Sequence, residues 1–235
     1  MRSEKSPLQR MAFNAGILMV TLLALSPLLW FVSMSFKSDA DIMAGSTRFL
    51  FTPTLDHYRA IMSPEVLKPF GNSLAASIIS TLLALLIGVP GAYVLARAPR
   101  RYERPLSMAI LTSRMVPPIA FTIPYFLVYR NIGLLDTIAG LIIIYLTFNL
   151  SLVVWLMRTF FEGLPQSLEE AAWIDGATLW QTLWRIVMPM ATPGVVTTAI
   201  LCFIYSWNDF FFALTLTRTQ AMTAPVQVVN FMNYQ

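Results

Sequence analysis

Five long apolar runs alternate with polar stretches along the chain. Ala12 to about Phe36 is the first, and its length suffices to cross a ~30 Å hydrocarbon core. Pro27 lies inside it and predicts a kink. Ser73–Ala96 is the second, with Gly88, Pro90 and Gly91 in its later half, residues that allow close helix contact or a bend. Met108–Tyr129 is the third, interrupted by Arg114, Pro117, Pro118 and Pro124. Neither Pro117 nor Pro118 can donate a backbone hydrogen bond, so this span is expected to break there. The carbonyls so freed should face a polar cavity or other helices rather than lipid. Thr137–Met157 is the fourth run and Thr192 to about Leu216 the fifth. The pattern predicts an all-α membrane protein with spans near 12–36, 73–96, 108–129, 137–157 and 192–216, read as one transmembrane domain over residues 1–235.

Between the fourth and fifth runs lies a structured polar insert, Ser167 to Pro189. Ser167 with Glu170 three residues on, and Thr178 with Gln181, each fit a capping box at a helix start. Asp175-Gly176 reads as a turn, and Pro189 as a stop. The insert is therefore predicted as two short helices over 167–187. Leu168, Trp173, Leu179, Leu183 and Trp184 give them apolar faces that need a partner or the membrane surface. On periodicity alone, an amphipathic hairpin that merely joins two spans is the simpler reading.

Composition agrees with a membrane protein. The chain of 235 residues is 57% hydrophobic and 12% charged, with a mean hydropathy of +0.65. Soluble domains hold about 25% charged residues. The net charge of +4 is better read through topology than as a nucleic-acid surface, and none is expected to bind. Lys and Arg near span ends mark the cytoplasmic side. The head (Arg2, Lys5, Arg10) and the loop Arg97, Arg100, Arg101, Arg104 are the densest basic clusters. Both are expected inside, with the Glu170 insert, and His57 outside. The Lys37–Asn72 loop carries Lys37, Arg48, Arg59 and Lys68 against this orientation, but the inverted arrangement puts both denser clusters outside. The first run lacks a small-x-small cleavage site followed by polar sequence, so no cleavable signal peptide is expected.

Little in the chain can do covalent chemistry. Cys202 and His57 are the single cysteine and histidine, which excludes a disulfide and disfavours a metal cluster or triad. No phosphate loop GxxxxGK[ST] is present. No catalytic residue and no metal site are expected. Ionisable residues inside spans are costly and so point to function. Arg114 near Pro118 in span three, Asn149 in span four, and Tyr205, Asn208 and Asp209 in span five are candidates for a substrate path. Aromatic faces beside amides and carboxylates suit sugars, which present apolar ring faces and many hydroxyls. Helix-to-helix pairing for Arg114, and an interfacial position for Asp209, are the alternatives.

At fixed spacing the insert resembles the EAA loop of ATP-binding-cassette importer permeases: Glu170-Ala171-Ala172, Gly176 four residues after Ala172, then Ile186 and Met188-Pro189. Only Met188 for Leu departs, a volume-conserving swap. Gly71-Asn72-Ser73, Gly133-Leu134-Leu135-Asp136-Thr137, Phe160-Phe161 ahead of Leu164-Pro165, and Ser206-Trp207-Asn208-Asp209-Phe210 resemble the maltose-type second permease of the carbohydrate branch. The resemblance implies the type I importer fold, with five of an expected six spans visible, since no sixth apolar run follows Leu216. It implies a multi-pass subunit in a prokaryotic cell membrane that carries a sugar or polyol. A second permease, two ATPase subunits and an external solute-binding protein would be its partners. ATP and Mg would be bound by the ATPases, with no cofactor in this chain. Glu170, Ala171, Ala172, Asp175, Gly176, Ile186 and Pro189 would then couple to an ATPase, a role the complete motif spacing favours over the plain hairpin. An ion-coupled secondary transporter is the alternative, but the chain shows no inverted repeat and Asp209 is the one acid inside a span.

Overall fold

The computed structural model describes residues 7–45 and 50–233. Arg2, Lys5 and Arg48, used above for topology, lie outside the described residues, as do the last two positions. The described part is helical, in two compact units, Met1–Pro64 and Glu65–Gln235.

The first unit holds α1 (Pro7–Ser35), α2 (Asp39–Met43) and α3 (Asp56–Ile61). The chain stays helical through Pro27. That ring removes the partner of the carbonyl four back, Leu23, and the Ser26 hydroxyl donates to it at 2.8 Å. The apolar side chains of α1 are largely exposed, as befits a lipid-facing span. After it, the Lys37 ammonium lies 5.3 Å from the ring centres of Trp30 and Phe51. His57 Nε2 donates to the Lys37 carbonyl at 2.8 Å, so the one histidine serves local structure.

The second unit begins with α4, which runs from Pro64 to Arg97 and so starts well before the predicted Ser73. Proline at the first helical position and Glu65 in the first turn favour this earlier start. Small residues on one face, among them Ala76, Ser77, Ser80 and Ala84, are fully buried. They let neighbouring helices approach closely. A Cβ on Gly88 would sit 2.7 Å from Val153 Cγ1 of α7 (Ile138–Glu162).

The Arg97–Ser107 stretch, expected as a basic loop, is mostly helix. Only Ala98 and Pro99 separate α4 from α5 (Arg100–Met115). Pro99 stands just outside the helix, and arginine is a good helix former. The predicted break in span three is present: α5 and α6 (Pro118–Ile132) meet at 86°. Each residue before a proline is driven from the helical region, and Val116 and Pro117 have ψ of 124° and 136°. Four helical stretches are long and apolar enough to span a membrane, five when the bent α5–α6 pair counts as one.

After α7 come α8 (Ser167–Ile174), α9 (Leu179–Thr182), a π turn over Leu183–Val187, and α10 (Met188–Trp207). The capping box expected at Ser167 does not form. Helical turns already begin at Pro165 and Gln166, with Leu168 N–H on the Pro165 carbonyl, so Ser167 lies inside the first turn. An N-cap needs extended backbone, which Ser167 no longer has. The box at Thr178 and Gln181 does form, at 3.3 and 2.8 Å. Pro189 does not stop this second helix. The π turn just before it takes up the missing donor, with Met188 N–H bonding five back to Leu183, and the helix continues into α10. The fifth span also ends earlier than Leu216: α10 closes at Trp207, and α11 (Phe211–Leu216) is separate. The last element is α12 (Ala224–Asn233).

At the far end from α8, two of the motif stretches converge on residues 217–224. Asn72 Nδ2 donates to the carbonyls of Gln220 and Met222, both at 2.9 Å. Ser73 Oγ accepts from Ala224 N–H at 2.8 Å. Asp136, itself at a positive φ of 55°, accepts the backbone N–H groups of Arg218, Thr219, Gln220 and Ala221 at 2.9–3.2 Å, and the Thr219 hydroxyl at 3.1 Å. Burial alone would raise its carboxyl, but these donors win and hold it far below the ordinary carboxylate range.

Candidate functional site

Two places in the second unit gather functional chemistry. The first is the α8–α9 insert. Gly176 takes φ +86°, a left-handed value that glycine adopts without strain. It lets Ala177 N–H close back on the Ala172 carbonyl at 2.9 Å, ending α8. Glu170, Ala171, Asp175 and Gly176 are exposed on the outer side of this hairpin, while Ala172 turns inward. Ile186 is half-buried in the π turn, and Pro189 is exposed just after it. Around them Trp173, Ile174, Leu179, Trp180 and Trp184 expose from 45 to 87% of their surface. Such a patch marks an interaction surface.

What holds the hairpin is Glu169, next to the motif residue. It is only 2% exposed. Arg97, the last residue of α4, donates through Nε at 3.1 and 3.2 Å and through Nη2 at 2.5 Å. The Tyr93 hydroxyl, one turn earlier on α4, donates at 2.7 Å. Fork geometry with both carboxylate oxygens engaged is among the stronger side-chain contacts. The sequence signal was available but ambiguous: Glu169 and Glu170 are adjacent on a helix and must point in different directions.

The second place is a cavity of about 230 Å³ between the α5–α6 break and helices α7 and α10. Of the residues singled out in the spans, Arg114, Pro118, Asn149, Tyr205 and Asp209 line it together. Arg114 lies 5.8 Å from the centre of the Tyr205 ring. Asn149 is buried and donates to Ser206 Oγ at 2.8 Å. Asp209 sits in the break between α10 and α11, where it accepts from Tyr145 Oη and Ala213 N–H, both at 3.1 Å. Asn208 lies apart, its amide donating to the Ile204 carbonyl of its own helix at 2.8 Å. Val116, Tyr145, Phe148, Ser206 and Phe212, which the sequence alone does not mark for a substrate path, complete the lining. Tyr145 stands four residues before Asn149, on the same helix face, and that spacing could have found it. Among the described residues no three His, Cys, Asp or Glu side chains cluster as a metal site would require.

Residues 84–235 match the family described as binding-protein-dependent transport system inner membrane component. The chain is 41% identical over 210 residues to the trehalose transport system permease protein SugB of Mycobacterium tuberculosis, covering 88% of this chain and 76% of that one. It is 30% identical over 231 residues to the trehalose/maltose transport system permease protein MalG of Thermococcus litoralis, covering 95% and 82%. A crystal structure of a bacterial ABC transporter involved in the import of the acidic polysaccharide alginate matches with a TM-score of 0.73 at 32% identity, over 96% of this chain and 81% of that one. The broken, multi-pass helical bundle and these likenesses agree, and the chain belongs to the binding-protein-dependent transport system inner membrane components, as a membrane permease subunit of an ATP-binding-cassette importer and not an enzyme.

Proposed function

We propose that this subunit carries a sugar or polyol across the inner membrane, and that α8 and α9 receive the mechanical stroke of a cytoplasmic ATPase. The observation that carries this reading is the hairpin itself. It shows an apolar, motif-bearing face outward, continues without a loop into α10, and is clamped to α4 through Glu169 and Arg97. A push on it therefore moves the ends of two spans together. In this reading residues 1–235 act as one transmembrane domain, the head and the Arg97–Arg104 end are cytoplasmic, and His57 is external. Two ATPases hold the ATP and Mg, a second permease completes the pathway, and an external binding protein delivers the solute. Rocking of the paired permeases alternates access, a rigid-body change.

The carbohydrate assignment rests on the trehalose and maltose named for the relatives and on the cavity lining. Tyr205 and the Phe148 and Phe212 rings offer flat apolar faces, while Asn149, Asp209 and Arg114 offer hydrogen bonds for hydroxyls.

Glu170→Lys and Gly176→Val test the coupling role. Reversing one partner of a buried interface pair costs about 2–5 kcal/mol, and a β-branched residue at φ +86° blocks the turn. Both variants should reach the membrane at normal levels yet lose the ATPase on purification. Normal complex and normal uptake in both would return the hairpin to a plain connector.

A further inference from the structure

The α8 end of the bundle holds a second feature that coupling does not use. Between the first turns of α5 and the last turn of α7 lies a cleft of about 630 Å³. Arg100, Arg101, Glu103 and Arg104 line it from α5, and Arg158 and Glu162 from α7. Four arginines against two glutamates leave the cleft at +2.

Those charges are not equivalent. Arg158 is committed to both acids, with Nη2 2.9 Å from Glu103 and Nε 2.9 Å from Glu162. Ser107 Oγ also donates to Glu103 at 3.0 Å. Both acids are thus tied to one arginine in the cleft wall, and the excess positive charge comes from the other three. Arg100, Arg101 and Arg104 are exposed and have no carboxylate partner among the described residues. The Arg101 guanidinium merely lies 4.5 Å from the centre of the Tyr102 ring. Pro99, ahead of α5, supplies no side-chain cap, so the first-turn N–H groups add positive field at the same place.

The rim identifies the occupant. Tyr102, Leu106 and Met108 expose 52–59% of their surface beside the guanidinium groups. Cationic donors bordered by an aromatic ring and aliphatic chains match a lipid: phosphate above, acyl chains below. A soluble anion would have no use for the apolar rim. We propose that this cleft binds an anionic phospholipid of the cytoplasmic leaflet, its phosphate held by Arg100, Arg101 and Arg104 and its acyl chains lying along Leu106 and Met108. The leaflet assignment rests on the orientation given under Proposed function. A lipid seated there bridges the start of α5 to the end of α7, close to where the chain enters α8.

The test uses the assembled transporter in mild detergent. Retention of phosphatidylglycerol over phosphatidylcholine is measured by native mass spectrometry for the wild type, for the triple variant R100Q/R101Q/R104Q, for Glu162→Gln, and for Arg130→Gln at the other end of α6. The triple variant should lose its preference for phosphatidylglycerol by at least about tenfold. Glu162→Gln removes an acid from the cleft and should strengthen retention. Arg130→Gln should match the wild type. A preference unchanged in the triple variant overturns the proposal, as does equal loss in Arg130→Gln. Displacement of the lipid by millimolar inorganic phosphate would make the site one for a free anion, which also overturns it. Loss of the ATPase with unchanged lipid retention would assign the arginines to a protein interface instead. ATPase co-purification with the wild type reports the coupling reading separately, because it does not depend on lipid retention.

Discussion

Two carboxylates tie the ends of the helical bundle, and they do so in opposite ways. Glu169 is bound by side chains, the guanidinium of Arg97 and the phenol of Tyr93, both from another helix. Asp136 is bound almost wholly by backbone, four successive N–H groups of one turn. The first contact joins two rigid helices, so force on α8 is felt by α4. The second shapes a loop and pins it to the bundle, and the identity of the surrounding side chains hardly matters. A clamp that transmits motion and a staple that resists it thus use the same functional group with different partners.

Breaking the first contact should have the largest effect. Glu169→Gln keeps the shape but leaves Arg97 without its counter-charge, and removing one partner of a buried pair costs about 3–5 kcal/mol. We expect a lower thermal midpoint in detergent, and uptake reduced beyond what the lower protein level explains. Arg97→Met with Glu169→Leu should recover much of the stability, since an apolar pair of similar volume is tolerated. Uptake equal to wild type in Glu169→Gln would show that the clamp carries no force.

Asp136→Asn comes next. It removes the charge from four N–H donors and should cost about 1–2 kcal/mol, in line with hydrogen bonds to charged groups at a half-buried site. Because the folded carboxyl lies below its ordinary value, its contribution is fully present above the ordinary carboxylate range and fades as pH falls through it. The stability gap between wild type and Asp136→Asn should therefore hold steady from neutral pH to about 5 and narrow below about 4. Thermal unfolding across that series measures it; a gap that closes near neutrality would contradict the assignment.

The smallest effect sharpens the contrast. Arg218→Ala removes a side chain next to Asp136 but none of its hydrogen bonds, and should change stability by no more than about 0.5 kcal/mol. If Arg218→Ala matched Asp136→Asn, the staple would depend on side chains after all.

Much of this was legible in the sequence. Five apolar runs agree with four long apolar helices and one bent pair, and Pro117-Pro118 placed the 86° break in span three, because proline's effects are local and do not depend on neighbours. Arg114, Pro118, Asn149, Tyr205 and Asp209 met around one cavity because polar groups in apolar helices have few places to go. Other features were not legible, for equally physical reasons. Whether Ser167 caps a helix depends on the turn that Pro165 and Gln166 start before it. Whether Pro189 ends a helix depends on a π turn that no residue type announces. The choice of Glu169 over Glu170 as the buried acid was decided by an arginine 72 positions away.

The π turn over Leu183–Val187 also sets a rotational phase between the insert and the fifth span. A π turn places one residue more in the helix than α geometry would. In an α-helix each residue advances the direction of side chains by about 100°. The face that α9 presents is therefore offset from the face of α10 by that angle, although no loop lies between them. The two faces answer to different neighbours, one at the hairpin surface and one within the bundle, and the extra residue lets a single continuous rod satisfy both. Its register, and not only its sequence, is part of how the stroke would reach the span.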